Sequence, residues 1–195
     1  MGDEPPPEVP AEGEEGAAAV AAVPEVPTAA AEFLEACMQG KTMKVRSYVV
    51  KHPDEDINTP TGKNGWSCIQ VAAGYAHADT IRALVELGAN PATKDKLGMT
   101  ALHVGADTDE TEVMRALLES DAAKAIIDEQ DADGNTALHY AAWSGRVDII
   151  VELLRAGAKT DIVNAAGKTA SEEAKEQKQD GAIKMIANGP PEPAA

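Results

Sequence analysis

The side chains in this sequence best suited to chemistry are four histidines and two cysteines. His103 and His139 occupy the same short context, Thr-Ala-Leu-His, 36 positions apart. A catalytic histidine needs no second copy, whereas a structural histidine recurs with the element that it stabilises. Neither a Ser-His-Asp or Cys-His arrangement nor a glycine-rich phosphate loop stands at a usable spacing. We therefore expect no catalytic residue, no cofactor, no metal site and no small-molecule substrate.

The remaining candidates for chemistry are weaker. Cys68 follows Ser67 at the predicted start of a helix, a position that can lower the pKa of a thiol. We favour the alternative, in which Cys68 is a small packed residue and Cys37 packs inside an N-terminal helix pair. His52 and His77 are expected at the surface or in loops. Two cysteines form no disulfide framework, which favours a reducing compartment: the cytoplasm, with the nucleus or cytoskeleton as alternatives.

An internal repeat must position these side chains. Three segments, 64–73, 97–106 and 133–142, align without gaps, and their glycines recur at intervals of 33, 36 and 33 positions at Gly65, Gly98, Gly134 and Gly167. Each glycine suits a tight turn with positive φ. The hydroxyl residue two positions later, Ser67, Thr100, Thr136 or Thr169, suits a helix N-cap. Apolar residues spaced by three and four, such as Ile149, Ile150, Leu153 and Leu154, predict a second, inward-packing helix.

The motif Thr-x-Leu-His, followed by a second helix and a closing Gly-Ala, resembles the ankyrin-repeat family. This resemblance implies an all-α solenoid of paired antiparallel helices with β-turn tips. We expect an N-terminal cap at 29–60, full repeats at 61–94, 95–130 and 131–163, and a C-terminal cap at 164–188. It also implies structural roles for Thr100, His103, Thr136 and His139, in which each histidine bonds the motif threonine and the backbone of adjoining turns.

The second repeat departs from this pattern twice. Asp109 replaces the glycine between its two helices, and we expect this aspartate to tolerate a left-handed conformation. Three additional residues fall within 120–128, where they are expected to lengthen either the second helix or the loop after it.

Charge and composition restrict the partners. The chain has 17 basic and 33 acidic residues, which disfavours nucleic acid and anionic membranes, and no apolar run is long enough to span a bilayer. Residues 1–28 contain seven acidic residues and no Lys or Arg, which predicts a tail that is disordered or docks only on a partner. Residues 189–195 are expected to form a second short tail.

Five side chains are candidates for binding a protein partner. In ankyrin repeats, the turn tips and the positions after the alanine pair of the first helix form the concave binding face. This resemblance maps to that face Trp66, Tyr75, Leu97, Met99 and Trp143. Exposed tryptophan and tyrosine are enriched at binding hot spots. Alternatively, Trp66 or Tyr75 covers a neighbouring turn. The acidic run 107–110 is either a solvated surface or an attraction for a basic partner.

These observations favour a non-enzymatic binding protein, monomeric when alone, that acts as an adaptor or structural subunit within a larger assembly. The alternative is a stoichiometric regulator that covers the active surface of a cytoskeletal or other effector. Residues 44–58 and 167–186 resemble the end repeats of the myotrophin type of ankyrin protein, which inhibits the actin filament capping protein. A solenoid defines a surface rather than a chemistry, so the identity of the partner stays open.

Overall fold

The computed structural model describes residues 29–60 and 64–190, and the two predicted tails lie largely outside these ranges. Eleven helices follow one another within the described residues: α1 Ala29–Met38, α2 Thr42–Lys51, α3 Cys68–Gly74, α4 Ala78–Glu86, α5 Ala101–Ala106, α6 Thr111–Leu118, α7 Asp121–Lys124, α8 Ala137–Trp143, α9 Val147–Arg155, α10 Ala170–Glu176 and α11 Asp180–Asn188.

Ten of these helices form five pairs that stack in two layers. The first helices α1, α3, α5, α8 and α10 pack side by side in one layer, and the second helices α2, α4, α6, α9 and α11 form the other. The core between the layers consists of alanine and aliphatic side chains, including Ile69, Leu102, Leu138 and Ile150. The predicted all-α solenoid of helix pairs is therefore confirmed.

Tight turns connect successive pairs on one edge of the stack. Gly65, Gly98, Gly134 and Gly167 have φ values of 72°, 76°, 77° and 75°, where a β-carbon would be strained. Backbone bonds join neighbouring turns: Lys96 N donates to Asn64 O, Ala132 N to Leu97 O and Ala165 N to Asp133 O, at 2.9–3.2 Å. The glycine conformation thus places the turns close enough to bond in register.

One buried side chain per repeat connects the first helix to the next turn. In His103, Nδ1 accepts hydrogen bonds from the backbone N–H of Thr100, at 3.0 Å, and from its hydroxyl, at 2.8 Å. An accepting Nδ1 leaves the proton on Nε2, which donates to the carbonyl of Asn135 at 3.0 Å. His139 repeats this arrangement with Thr136 and with the carbonyl of Lys168.

The same position in the outer repeats carries other residues with matching chemistry. The Oε1 atom of Gln70 accepts from the N–H and hydroxyl of Ser67, while its Nε2 donates to the carbonyl of Met99 at 2.8 Å. In the last pair, the Glu172 carboxylate accepts hydrogen bonds from the backbone N–H and the hydroxyl of Thr169 and has no proton to donate. An acceptor-only carboxylate suits this place, because no further described turn follows α10 and α11.

The turn at Asp109 differs from the prediction. Among the described residues, only Ala76 and Lys178 have positive φ without being glycine, so the left-handed conformation expected for Asp109 is wrong. The helix α5 ends one residue earlier than its equivalents, and the Thr108 hydroxyl donates to the Gly105 carbonyl at 2.8 Å. This side-chain bond supplies a donor for a free carbonyl at the end of the helix. Asp109 forms an ion pair with Arg146.

The three additional residues of the second repeat do not extend α6, which ends at Leu118. They lie in the loop after it, as the second of the two alternatives predicts, and that loop folds into the short helix α7. Ala123 of α7 is buried, as is Ile127 after it.

Arginines connect the second helices across the outer surface. Arg46 pairs with Glu86, Arg82 with Glu119 at 3.0 Å, and Arg115 with Glu152 at 3.0 Å, so that α2, α4, α6 and α9 are joined in sequence. Exposed ion pairs of this kind contribute about 0–1 kcal/mol each. The ladder of buried histidine and glutamine side chains therefore has the larger structural effect.

We expect His139→Ala to lower the free energy of unfolding by about 1–3 kcal/mol, because Thr136 and the Lys168 carbonyl lose a buried hydrogen-bond partner. Urea denaturation followed by circular dichroism measures this change. An unchanged midpoint would contradict the structural role of the ladder.

The ladder also predicts a pH dependence. Burial lowers the pKa of His103 and His139 below the ordinary value of 6.5. Below about pH 6.5 the unfolded chain therefore binds more protons than the folded chain. Stability is fully present above this pH and falls as the pH decreases toward the lowered folded-state pKa. Replacing both histidines with glutamine, as found at Gln70, should keep the bonds and flatten this dependence below about pH 6.5. An equally steep decline in the double variant would contradict this assignment.

Candidate partner-binding face

Two rows of side chains line the exposed side of the first helices. The first row precedes each helix cap and consists of Trp66, Met99, Asn135 and Lys168. The second row lies seven positions after each cap and consists of Gly74, Asp107, Trp143 and Glu176. We call the surface formed by these eight residues, by Tyr75 directly after Gly74 and by the turn tips the first-helix face.

Contacts between the two rows show that they share one surface. A β-carbon built on Gly74 would lie 2.9 Å from Cζ3 of Trp66 and 3.4 Å from Cγ1 of Val104, so the indole covers this glycine. At the other end, Nζ of Lys168 lies 2.6 Å from the Glu176 carboxylate. In both repeats a side chain of the first row thus reaches across to the second.

The ladder holds the backbone of the first row. The carbonyls that accept from Gln70, His103 and His139 belong to Met99, Asn135 and Lys168, which are all first-row residues. Their carbonyls are thus fixed inside the stack, while their side chains are half-buried at the first-helix face. Because the bond uses only the backbone, the side chain can change without altering the bond that aligns the repeats.

The five candidates for partner binding differ in exposure. Leu97 at a turn tip is 62% exposed, and Trp143 at the end of α8 is 51% exposed. Trp66, Tyr75 and Met99 are half-buried and pack against the core. The Trp66 ring lies against Gly74 in the first helix of the same repeat and is half-buried, so that part of the ring still forms surface.

A carboxylate lies between the two tryptophans of this face. Asp107 stands between Gly74 and Trp143 and accepts a hydrogen bond from the Ser144 hydroxyl at 3.0 Å. Nearby, the Tyr140 hydroxyl donates to Asp131 at 2.7 Å. Burial, this bond and the charges of Asp131, Asp133 and Asp107 raise the pKa of Tyr140. The face therefore changes from apolar at Trp66 and Met99 to acidic around Tyr140.

Most of the acidic run 107–110 is engaged within the chain. Asp107 accepts from Ser144, and Asp109 pairs with Arg146. The neighbouring Glu112 pairs with Arg82, whose guanidinium holds the pKa of this carboxylate below its ordinary value. These carboxylates belong to the contacts between repeats rather than to an isolated acidic surface.

The two cysteines are packed, as the favoured prediction has it. Burial raises the pKa of Cys68 to about 12, and its thiol donates to the Ile57 carbonyl at 2.9 Å. Cys37 is fully buried in the first helix pair, and burial raises its pKa as well. Neither thiol is therefore activated by its surroundings.

The remaining histidines lie in loops or at a helix cap. His77 caps α4, and its Nε2 lies 2.8 Å from the Met38 carbonyl, which ties the first two helix pairs together. His52 stacks on Tyr48, with ring centroids 4.4 Å apart. Within 29–60 and 64–190, no group of three or more His, Cys, Asp or Glu side chains is arranged to hold a metal ion.

Comparison with known proteins agrees with this geometry. The family profile described as ankyrin repeats (3 copies) matches residues 33–128 and 97–164. The chain belongs to the ankyrin-repeat family. Ankyrin repeats are a protein-interaction fold, so a protein partner is the expected ligand. In the described ranges, no helix of this ankyrin protein is long and apolar enough to cross a membrane.

The chain spans only a small part of the curated relatives that it matches. Over 114 residues, the chain is 31% identical to neurogenic locus notch homolog protein 1 of Xenopus tropicalis, which covers 58% of the chain and 4% of that protein. It is 35% identical to human neurogenic locus notch homolog protein 4 over 94 residues, an alignment that covers 48% of the chain and 5% of that protein. It is 33% identical to the mouse B-cell lymphoma 3 protein homolog over 87 residues, an alignment that covers 44% of the chain and 19% of that protein.

Sequence reasoning missed three residues that shape this face or the ladder beneath it. Gly74 accommodates the indole of Trp66, while Gln70 and Glu172 take the place of the histidine in the outer repeats. Register could have identified all three, because each stands at a fixed distance from a helix cap.

The contact between Trp66 and Gly74 generates a prediction. In a Trp143→Phe background, where Trp66 is the remaining tryptophan, we expect Gly74→Ala to push the indole outward and shift its fluorescence emission to longer wavelength. The free energy of unfolding should change little, because the higher helix propensity of alanine, up to about 1 kcal/mol over glycine, offsets the cost of displacing the ring. Asp107→Ala, at the same register position of the next repeat, is the control and should leave the emission unchanged. Equal spectra for both variants would contradict this contact.

Proposed function

We propose that this ankyrin protein is a non-enzymatic binding protein that docks through its first-helix face into a larger protein assembly, as an adaptor or structural subunit. The contact surface consists of Trp66, Tyr75, Leu97, Met99 and Trp143. This proposal goes beyond family membership, which supports protein binding in general.

One observation carries the proposal: the half-buried indole of Trp66 is held against Gly74 on the face whose backbone the ladder fixes. A rigid aromatic side chain loses little conformational entropy on binding, and aromatic residues in such positions dominate interface energies. Leu97 and Trp143 add exposed apolar side chains in the second and third repeats. Residues on a rigid scaffold of this kind bind with little rearrangement.

The alternative function is a stoichiometric regulator that covers an effector protein, as the resemblance of the end repeats to myotrophin suggests. The two functions differ in what a pull-down recovers. A fixed set of co-purifying proteins favours the structural subunit. A single effector whose activity falls on addition of this protein favours the regulator.

The test of the proposed surface is truncation of its two tryptophans. We expect Trp143→Ala to weaken binding to the recovered partner by about thirtyfold, which corresponds to about 2 kcal/mol, while the melting temperature stays unchanged. Trp66→Ala should weaken binding similarly and lower the melting temperature slightly, because its half-buried ring also packs on Gly74 and against the core. Isothermal titration calorimetry measures the affinities.

Val50→Ala is the matched control, because Val50 is 77% exposed on α2, in the layer of second helices. It should leave both affinity and melting temperature unchanged. Undiminished binding by both tryptophan variants would show that the partner uses another surface. A collapse of the Trp143→Ala melt would show that this side chain is part of the core.

A further inference from the structure

A second surface, separate from the first-helix face, lies at the N-terminal end of the stack. A groove of about 510 Å³ runs between α1 and α2, with Phe33 and Ala36 at its floor and Tyr48 on its wall. The rings of Phe33 and Tyr48 stack with centroids 4.6 Å apart. The groove faces away from the next repeat, because Arg46, which reaches Glu86 on α4, lies about 200° around the helix from Lys44.

The α2 rim of this groove is basic. Lys41, Lys44 and Lys51 are exposed, and none of them forms an ion pair with any residue in 29–60 or 64–190. The α1 rim carries Glu32 and Glu35 instead, so the two rims have opposite charge. A ligand with an apolar stretch beside carboxylates therefore matches the floor and the α2 rim together.

The chain carries such a segment directly before α1. Residues 17–23 read Ala-Ala-Ala-Val-Ala-Ala-Val, with Glu12, Glu14 and Glu15 before them and Glu25 after them. Residues 24–28 connect this run to α1 and can span up to about 17 Å, which is comparable to the length of α1 itself. A tether this short gives an effective concentration in the millimolar range, so weak contacts suffice for binding.

We propose that residues 12–27 of this chain bind in the groove between α1 and α2, with the apolar run on Phe33 and Tyr48 and the flanking carboxylates at Lys44 and Lys51. Bound there, the segment would occupy the groove and leave the first-helix face open to a partner. The proposal is independent of the proposed function, since it concerns a different surface and a ligand within the same chain.

Zero-length carbodiimide cross-linking of the full chain tests this contact, because it joins a carboxylate to an amine only when the two touch. We expect peptide mass spectrometry to find Lys41, Lys44 and Lys51 joined to Glu12, Glu14, Glu15 or Glu25. A mixture of ¹⁵N-labelled and unlabelled protein distinguishes bonds within one chain from bonds between two. Repetition in about 0.5 M salt should suppress the cross-links, because screening weakens exposed charge contacts.

The double variant Lys44→Glu and Lys51→Glu keeps Lys41 as a reporter, and its cross-links to the segment should be lost. Lys175→Glu with Lys184→Glu, a matched change of exposed lysines in the last helix pair, should leave them intact. Circular dichroism verifies that both variants are folded. Cross-links that persist in the first variant, or that join only labelled to unlabelled chains, would overturn the proposal. So would a yield at Lys41, Lys44 and Lys51 no higher than at Lys175 and Lys184.

Discussion

The structure depends on a buried side chain that accepts two hydrogen bonds from its own helix cap and donates one to the next turn. Gln70, His103 and His139 satisfy this requirement with different chemistry, because a neutral imidazole and a carboxamide both combine an acceptor with a donor. An isolated helix pair of this length could not bury its apolar surface alone, and stacking supplies the missing neighbour. The ladder fixes how neighbouring pairs align, since a turn displaced along the helix would leave buried donors and acceptors unpaired.

The same ladder explains how stability and a variable surface can reside in the same few residues. Met99, Asn135 and Lys168 each give their carbonyl to the ladder and their side chain to the first-helix face. The backbone bond places no restriction on the side chain, so the surface can be apolar at Met99 and charged at Lys168 within one scaffold. The neutral histidines that hold this backbone also make the alignment of the surface sensitive to acid, because protonation removes the acceptor at Nδ1.

Sequence reasoning succeeded where a local rule determines the outcome. A glycine at each turn and a hydroxyl residue two positions later predicted the helix starts, because positive φ and capping depend on neighbouring residues alone. It was wrong at Asp109, where the side chain of Thr108 satisfies the helix end and removes the need for a left-handed residue. It also left open the additional residues of the second repeat, since whether they extend α6 or form α7 depends on what Ala123 and Ile127 can pack against.

The sequence by itself determined the repeat, the all-α stack and the structural role of the histidines, because each of these recurs at fixed spacing and one copy verifies another. Only the tertiary structure decided what happens between repeats. The cover of Trp66 over Gly74, the bond between Ser144 and Asp107, and the groove beside Lys44 join residues whose relation depends on how helix pairs pack. No periodicity encodes such contacts, because the side chains involved differ from repeat to repeat and meet only when the stack has formed.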